Sequence, residues 1–106
     1  MPILITKDNH EREIVQSQLP VVLDVFATWC GPCLYMMPIF EQLEKEMGAS
    51  YKFAKLNVDE SRELAIQYGV TSIPCFIFIK DNQVKAKEVG SISKEDLIKK
   101  ITTYLK

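Results

Sequence analysis

The chain has 106 residues, 47% apolar and 25% charged, which are the proportions of one ordinary globular domain and exclude a disordered or fibrous chain. Thirteen Lys and Arg against fourteen Asp and Glu leave a formal charge of −1, without the basic excess that a nucleic-acid binder needs. No apolar run nears the ~20 residues of a membrane span, and Met1 to His10 lack the pattern of an export signal. A cytoplasmic protein with no nucleic-acid or membrane partner is therefore expected.

Ile3-Leu4-Ile5 reads as a short strand. Asp8, with Glu11 three positions on, reads as the N-cap of a helix that includes Ile14 and Val15. Pro20 to Ala27 is a near-continuous apolar run, the signature of a central strand buried on both faces. A long helix follows in which Met36, Ile39, Phe40, Leu43 and Met47 share one side and Gly48 closes the end. Pro38 lies inside it and is expected to kink it.

Tyr51 to Val58 reads as another strand, and Ser61 to Tyr68 as a short helix stopped by Gly69. Pro74 leads the buried strand Cys75 to Ile79. Asp81-Asn82 is a two-residue turn joining it to Gln83–Val89, where Val84, Ala86 and Glu88 alternate with Gln83, Lys85 and Lys87. Ser93 caps a last helix whose apolar stripe is Leu97, Ile98, Ile101, Tyr104 and Leu105. The order β-α-β-α-β-α-β-β-α predicts an α/β domain over residues 1–106: a mixed sheet of about five strands with about four helices on both faces.

Three cysteines are too few, and odd in number, for a stapled scaffold, which points to redox or metal chemistry. Cys30 and Cys33 sit at the junction of the buried strand and the long helix. At that spacing on a first helical turn their Cα atoms lie roughly 5–6 Å apart, inside the disulfide range of about 4.4–6.8 Å. Cys30 meets the free N–H groups and positive dipole end of the helix, which favour its thiolate. Pro32 has no N–H to leave unpaired there, and Gly31 is expected to leave the sulfur uncrowded. Cys33, one turn in, is more buried. One cysteine attacks and the other resolves.

Other residues admit two readings. Cys30 and Cys33 with Cys75 and His10 have the ligand types of a zinc site, although the strand-to-helix setting and the Gly-Pro insert favour redox, with no metal. His10 otherwise reads as a helix-boundary residue. Asp24 lies in a run buried on both faces, and an unpaired buried carboxylate is costly enough to need a reason. Lys55, between Ala54 and Leu56, reads by itself as a solvated strand residue. Trp29 adjoins a reactive cysteine that must be reachable, so a partly exposed docking role is expected, in place of mere core filling.

Trp29-Cys30-Gly31-Pro32-Cys33 after Val21-Val22-Leu23-Asp24-Val25-Phe26-Ala27, with Ile73-Pro74 and Val89-Gly90 beyond, resembles the thioredoxin family over essentially the whole chain. The resemblance implies the thioredoxin fold in a single domain and a general protein-disulfide reductase. In it Cys30 is the attacking thiolate, Cys33 the resolving thiol, Asp24 a proton acceptor from Cys33, and Lys55 the lysine near that carboxylate. Pro74 is then cis, and Trp29, Gly31, Pro32, Ile73, Pro74, Val89 and Gly90 form an apolar docking surface for disulfide-containing proteins. It further implies re-reduction by a thioredoxin reductase that draws on NADPH; no cofactor is expected in the domain itself, and a monomer is the default for so small a domain. Two alternatives share these features: a thioredoxin-fold oxidant or isomerase of an oxidising compartment, and a non-redox binding module using the same surface.

The chain departs from the family pattern at three places. Phe26 stands where many members carry a tryptophan. Leu34 stands where Lys or Arg is usual and, with Tyr35, Met36 and Met37, makes an apolar rim. Cys75 replaces a common Thr after the proline and reads as a small buried hydrophobe or a third reactive thiol.

Overall fold

The computed structural model describes all 106 residues. Five strands form one sheet: β1 (Ile3–Leu4), β2 (Val21–Phe26), β3 (Lys52–Asn57), β4 (Cys75–Lys80) and β5 (Gln83–Val89), in the order β1-β3-β2-β4-β5. β1, β3 and β2 run parallel, while β4 and β5 are antiparallel additions on the other side of β2. The helices are α1 (Gly31–Met47), α2 (Arg62–Gln67) and α3 (Lys94–Tyr104), preceded by one π-helical turn at Glu11–Val15. This is the mixed-sheet α/β fold that the sequence predicts.

β2 lies at the centre because every one of its residues is apolar or, at Asp24, buried with the rest. Alternate side chains leave it in opposite directions. Leu23 and Val25 join Ile77, Ile79, Leu64 and Ile14 in a core beneath α2 and the π turn. Val22 joins Phe40, Phe53, Phe76, Phe78, Leu97 and Ile101 in a second core beneath α1 and α3. Phe40 meets Phe53 edge to face, with ring centroids 5.2 Å apart. Helices therefore cover both faces of the sheet.

Two local expectations fail for identifiable reasons. Asp8 caps nothing: Asn9 Oδ1 accepts the Thr6 N–H at 2.8 Å, the π-helical residues start only at Glu11, and the residue at the cap position, His10, makes no side-chain capping bond. A tight turn at Thr6–Asn9 has taken the place of the capping box. In β5 the register slips between Phe78↔Ala86 and Ile79↔Val84, leaving Lys85 as a bulge. Val84 therefore leaves the face of Ala86 and Glu88 and is exposed.

The remaining signals act as read. Asp81 and Asn82 take φ of 52° and 59°, the positive values that a two-residue hairpin turn needs. Ser93 Oγ accepts the Asp96 N–H at 3.1 Å and caps α3.

Candidate active site at the head of helix α1

The site forms where the C-terminal end of β2 meets the N-terminal end of β4. The chain leaves Phe26, turns through Thr28 and Trp29, and enters α1 with Cys30 as N-cap. Cys30 Sγ accepts the N–H of Cys33 at 3.2 Å, so the sulfur occupies the capping position at the positive end of a 17-residue helix. Cys30 and Cys33 are joined in a disulfide with Cα atoms 5.2 Å apart. Cys30 is 6% exposed and Cys33 fully buried, which separates an outer from an inner sulfur. Phe26 and Ala27 pack around the pair, with Val58 and Ile73 against them.

Gly31 and Pro32 are exposed beside the disulfide. Apart from its two chain neighbours, a Cβ built on Gly31 would meet nothing within 4 Å, so no packing against more distant residues requires glycine here. The Ile73–Pro74 peptide bond is cis. The Pro74 carbonyl accepts the N–H of Gly90 at 2.8 Å, and Cys75 pairs with Val89, so the segments carrying Ile73-Pro74 and Val89-Gly90 are tied together. Gly90 has φ of 97°, a backbone angle that a side chain resists. Trp29 and Val89 are exposed and Ile73 half-buried. Leu34 and Tyr35, 50% and 63% exposed, extend the apolar rim along the first turns of α1.

Asp24 is 1% exposed and its Oδ1 has no hydrogen-bond partner. Burial pushes its carboxyl up to about 7, against the pull of the Lys55 ammonium. The register sets Asp24 beside Lys55 on β3 and Phe76 on β4. Because side chains alternate, Asp24 shares its face of β2 with Phe26, which packs against Cys33. Lys55 is half-buried and closes no ion pair with Asp24. A buried carboxyl that titrates near neutrality can accept and return a proton.

Two residues at this site escape the sequence reading. The Trp29 indole N–H donates to Asp59 Oδ2 at 2.8 Å. Asn57, buried at the end of β3, accepts the backbone N–H of Asp59 at 2.8 Å through its Oδ1 and that of Glu60 at 3.4 Å. The signal was present as Asn57-Val58-Asp59, the spacing of an Asx turn. His10 lies elsewhere: its Nε2 is 2.7 Å from the Tyr68 hydroxyl and burial lowers its pKa. No three His, Cys, Asp or Glu side chains are grouped as metal ligands would be. Cys75 is buried on the opposite face of the sheet from Asp24, and burial raises its thiol pKa.

The thioredoxin family model matches residues 1–103. The chain is 40% identical to a thioredoxin of Chlorobaculum thiosulfatiphilum over 94% of its own length and 93% of that protein's. It is 37% identical to a thioredoxin of Haemophilus influenzae, covering 92% of this chain and 91% of the relative. A thioredoxin of Rickettsia bellii matches at 37% identity over 95% and 96% of the two chains.

Proposed function

This chain belongs to the thioredoxin family and is a protein-disulfide reductase acting through Cys30 and Cys33; on that premise we propose how its residues divide the reaction and where its electrons come from. The observation that carries the reading is Cys30 Sγ in the N-cap position of α1, disulfide-bonded to a fully buried Cys33.

In the reduced protein the Cys30 thiolate attacks one sulfur of a substrate disulfide. A Cys30–substrate disulfide forms, and the second substrate sulfur leaves as a thiolate that takes a proton. Asp24 accepts the proton of Cys33, and Lys55 favours its ionised form. The Cys33 thiolate attacks Cys30 Sγ, expelling the first substrate sulfur and closing the Cys30–Cys33 disulfide. Two electrons pass from the dithiol to the substrate. Trp29, Gly31, Pro32, Ile73, Pro74, Val89 and Gly90 supply the surface on which the substrate lies during both attacks.

Restoring the dithiol requires an outside reductant, and a thioredoxin reductase using NADPH is the proposed source. We assign the chain as a single domain, a monomer, acting in the cytoplasm on disulfide-containing proteins. The test is reduction of insulin disulfides coupled to NADPH and a thioredoxin reductase. Turnover that disappears in Cys30→Ser is the expected result. An active Cys30→Ser, or NADPH oxidation that never responds to the protein, overturns it.

A further inference from the structure

Met36 does not join the apolar rim expected from the sequence. It is fully buried, in the core beneath α1 and α3 with Phe40, Phe76 and Phe78. Its Sδ accepts the backbone N–H of Ile92 at 3.5 Å, a hydrogen bond to a weak acceptor. No other protein group accepts from this N–H. The contact is partly buried, where an N–H without a partner is costly. A hydrocarbon side chain at position 36 could fill the same space but could not pair that N–H.

The contact matters because of where Ile92 lies. β5 ends at Val89 and α3 begins at Lys94, so Gly90 to Ile92 belong to no regular element. Gly90, at φ of 97°, adds the backbone freedom of glycine. Two hydrogen bonds tie this stretch down. The Gly90 N–H reaches the Pro74 carbonyl at 2.8 Å, and the Ile92 N–H reaches Met36. The Ile92 side chain packs against the same core as Met36. One tie therefore runs to the cis-proline segment and the other to α1, three residues beyond Cys33. Val89, next to the first tie, and Ser91, between the two, are exposed.

We propose that Met36 is a positioning residue for substrate docking. Its thioether fixes the Gly90–Ile92 backbone to the helix that carries both cysteines, so Val89 and Gly90 are in place before a polypeptide lies across the disulfide. The inference rests on the docking role proposed for Val89 and Gly90. Met36 touches no substrate; it acts through Ile92, by reducing the ordering that binding would otherwise require.

The test replaces only the sulfur. Norleucine has the length of methionine with a methylene in its place, whereas selenomethionine keeps an acceptor there. Each is incorporated throughout two chains, the wild-type sequence and Met36→Leu. Effects through Met1, Met37 and Met47 arise in both chains, so the difference between them isolates position 36. In the wild-type sequence, norleucine should speed hydrogen exchange of the Ile92 amide about 2–5-fold, the lower part of the range of one hydrogen bond. KM for insulin disulfides, with reductase in excess, should rise by about the same 2–5-fold while kcat stays unchanged. Selenomethionine should leave both at their methionine values. In Met36→Leu, norleucine should move neither. Reduction of hydroxyethyl disulfide, which has no chain to lie on the surface, should be unaffected throughout. Ile92 exchange or insulin KM that does not respond to norleucine in the wild-type sequence overturns the positioning role. So does a KM rise that appears equally in Met36→Leu, or equal slowing of insulin and hydroxyethyl disulfide. Failure of the unmodified wild-type protein to reduce hydroxyethyl disulfide would instead overturn the reductase reading itself.

Discussion

Trp29 is held by Asp59: its indole N–H donates to Oδ2 at 2.8 Å although the ring is 70% exposed. An exposed aromatic ring ordinarily samples several rotamers, and ordering it during docking would cost entropy. Asp59 removes that cost beforehand, and Asn57 fixes Asp59 by accepting its backbone N–H. Asp59→Ala is expected to raise KM for protein disulfides about 3–10-fold, within the range of one ordinary hydrogen bond, with kcat little changed. Trp29 is the only tryptophan, so its emission reports the ring directly. Asn57→Ala should shift that emission in the same direction as Asp59→Ala. Emission unchanged in both variants would show that the hydrogen bond does not position the ring.

Asp24 makes stability depend on pH with an unusual sign. Its carboxyl titrates near 7 in the folded chain and near 3.8 when unfolded. Between those values the folded state binds the additional proton, so stability falls as pH rises. The loss begins near pH 4, is complete a little above 7, and amounts to about 4 kcal/mol at ~1.36 kcal/mol per pKa unit. Asp24→Asn should abolish this slope, so the variant gains on the wild type between pH 4 and pH 8 in denaturant titrations. The same variant should slow release of substrate from the Cys30 mixed disulfide above pH 7, where the wild-type carboxylate is ionised. A stability difference that is flat across that range would contradict a proton held on Asp24.

The sheet and the reactive pair were legible because each rests on a short-range pattern. The all-apolar run of β2, the stripe of α1 and the Cys30–Cys33 spacing each carry their meaning within one or two turns or one strand. What was missed depends on competition between neighbours or on contacts far apart in sequence. The capping role of Asp8 was lost to a bond between Asn9 and Thr6. The bulge at Lys85 is set by how β5 pairs with β4, which no count of alternation within β5 alone can reveal. Asp59 reaches Trp29 across thirty residues, and Arg62 and Ile66 meet the active site only after α2 packs on the sheet. Residue types announced the chemistry, whereas the groove beside Trp29 emerged only from the tertiary arrangement.

Leu34 tests whether the rim on α1 contributes to docking. It is half exposed on the first turn of α1, four residues from Cys30. Covering the remaining half of a leucine side chain stabilises a complex by about 1 kcal/mol, or roughly fivefold in affinity. Leu34→Lys is therefore expected to lower kcat/KM about fivefold for substrates with apolar flanks and to narrow the gap to substrates with acidic flanks. Steady-state reduction rates across such a panel check it. Identical rates for both proteins on every substrate would leave Leu34 without a role in docking.

Cys75 bears on whether the chain has two redox-active sulfurs or three. It is 2% exposed and packs with Leu23, Val25, Ile77 and the other apolar residues of the core beneath α2. Burial raises its thiol pKa, and Asp24 when ionised adds to that, while Lys87 opposes it. A thiol that is both covered and disinclined to ionise is a poor nucleophile. Mild oxidation of the reduced protein should therefore yield only the Cys30–Cys33 disulfide, and iodoacetamide should label Cys75 only after denaturation. Cys75→Ser should leave the reductase cycle intact and cost about 1–3 kcal/mol in stability, because its hydroxyl would be buried among apolar side chains. A glutathione adduct or cross-link at Cys75 in the native protein, detected by mass spectrometry, would make it a third participant.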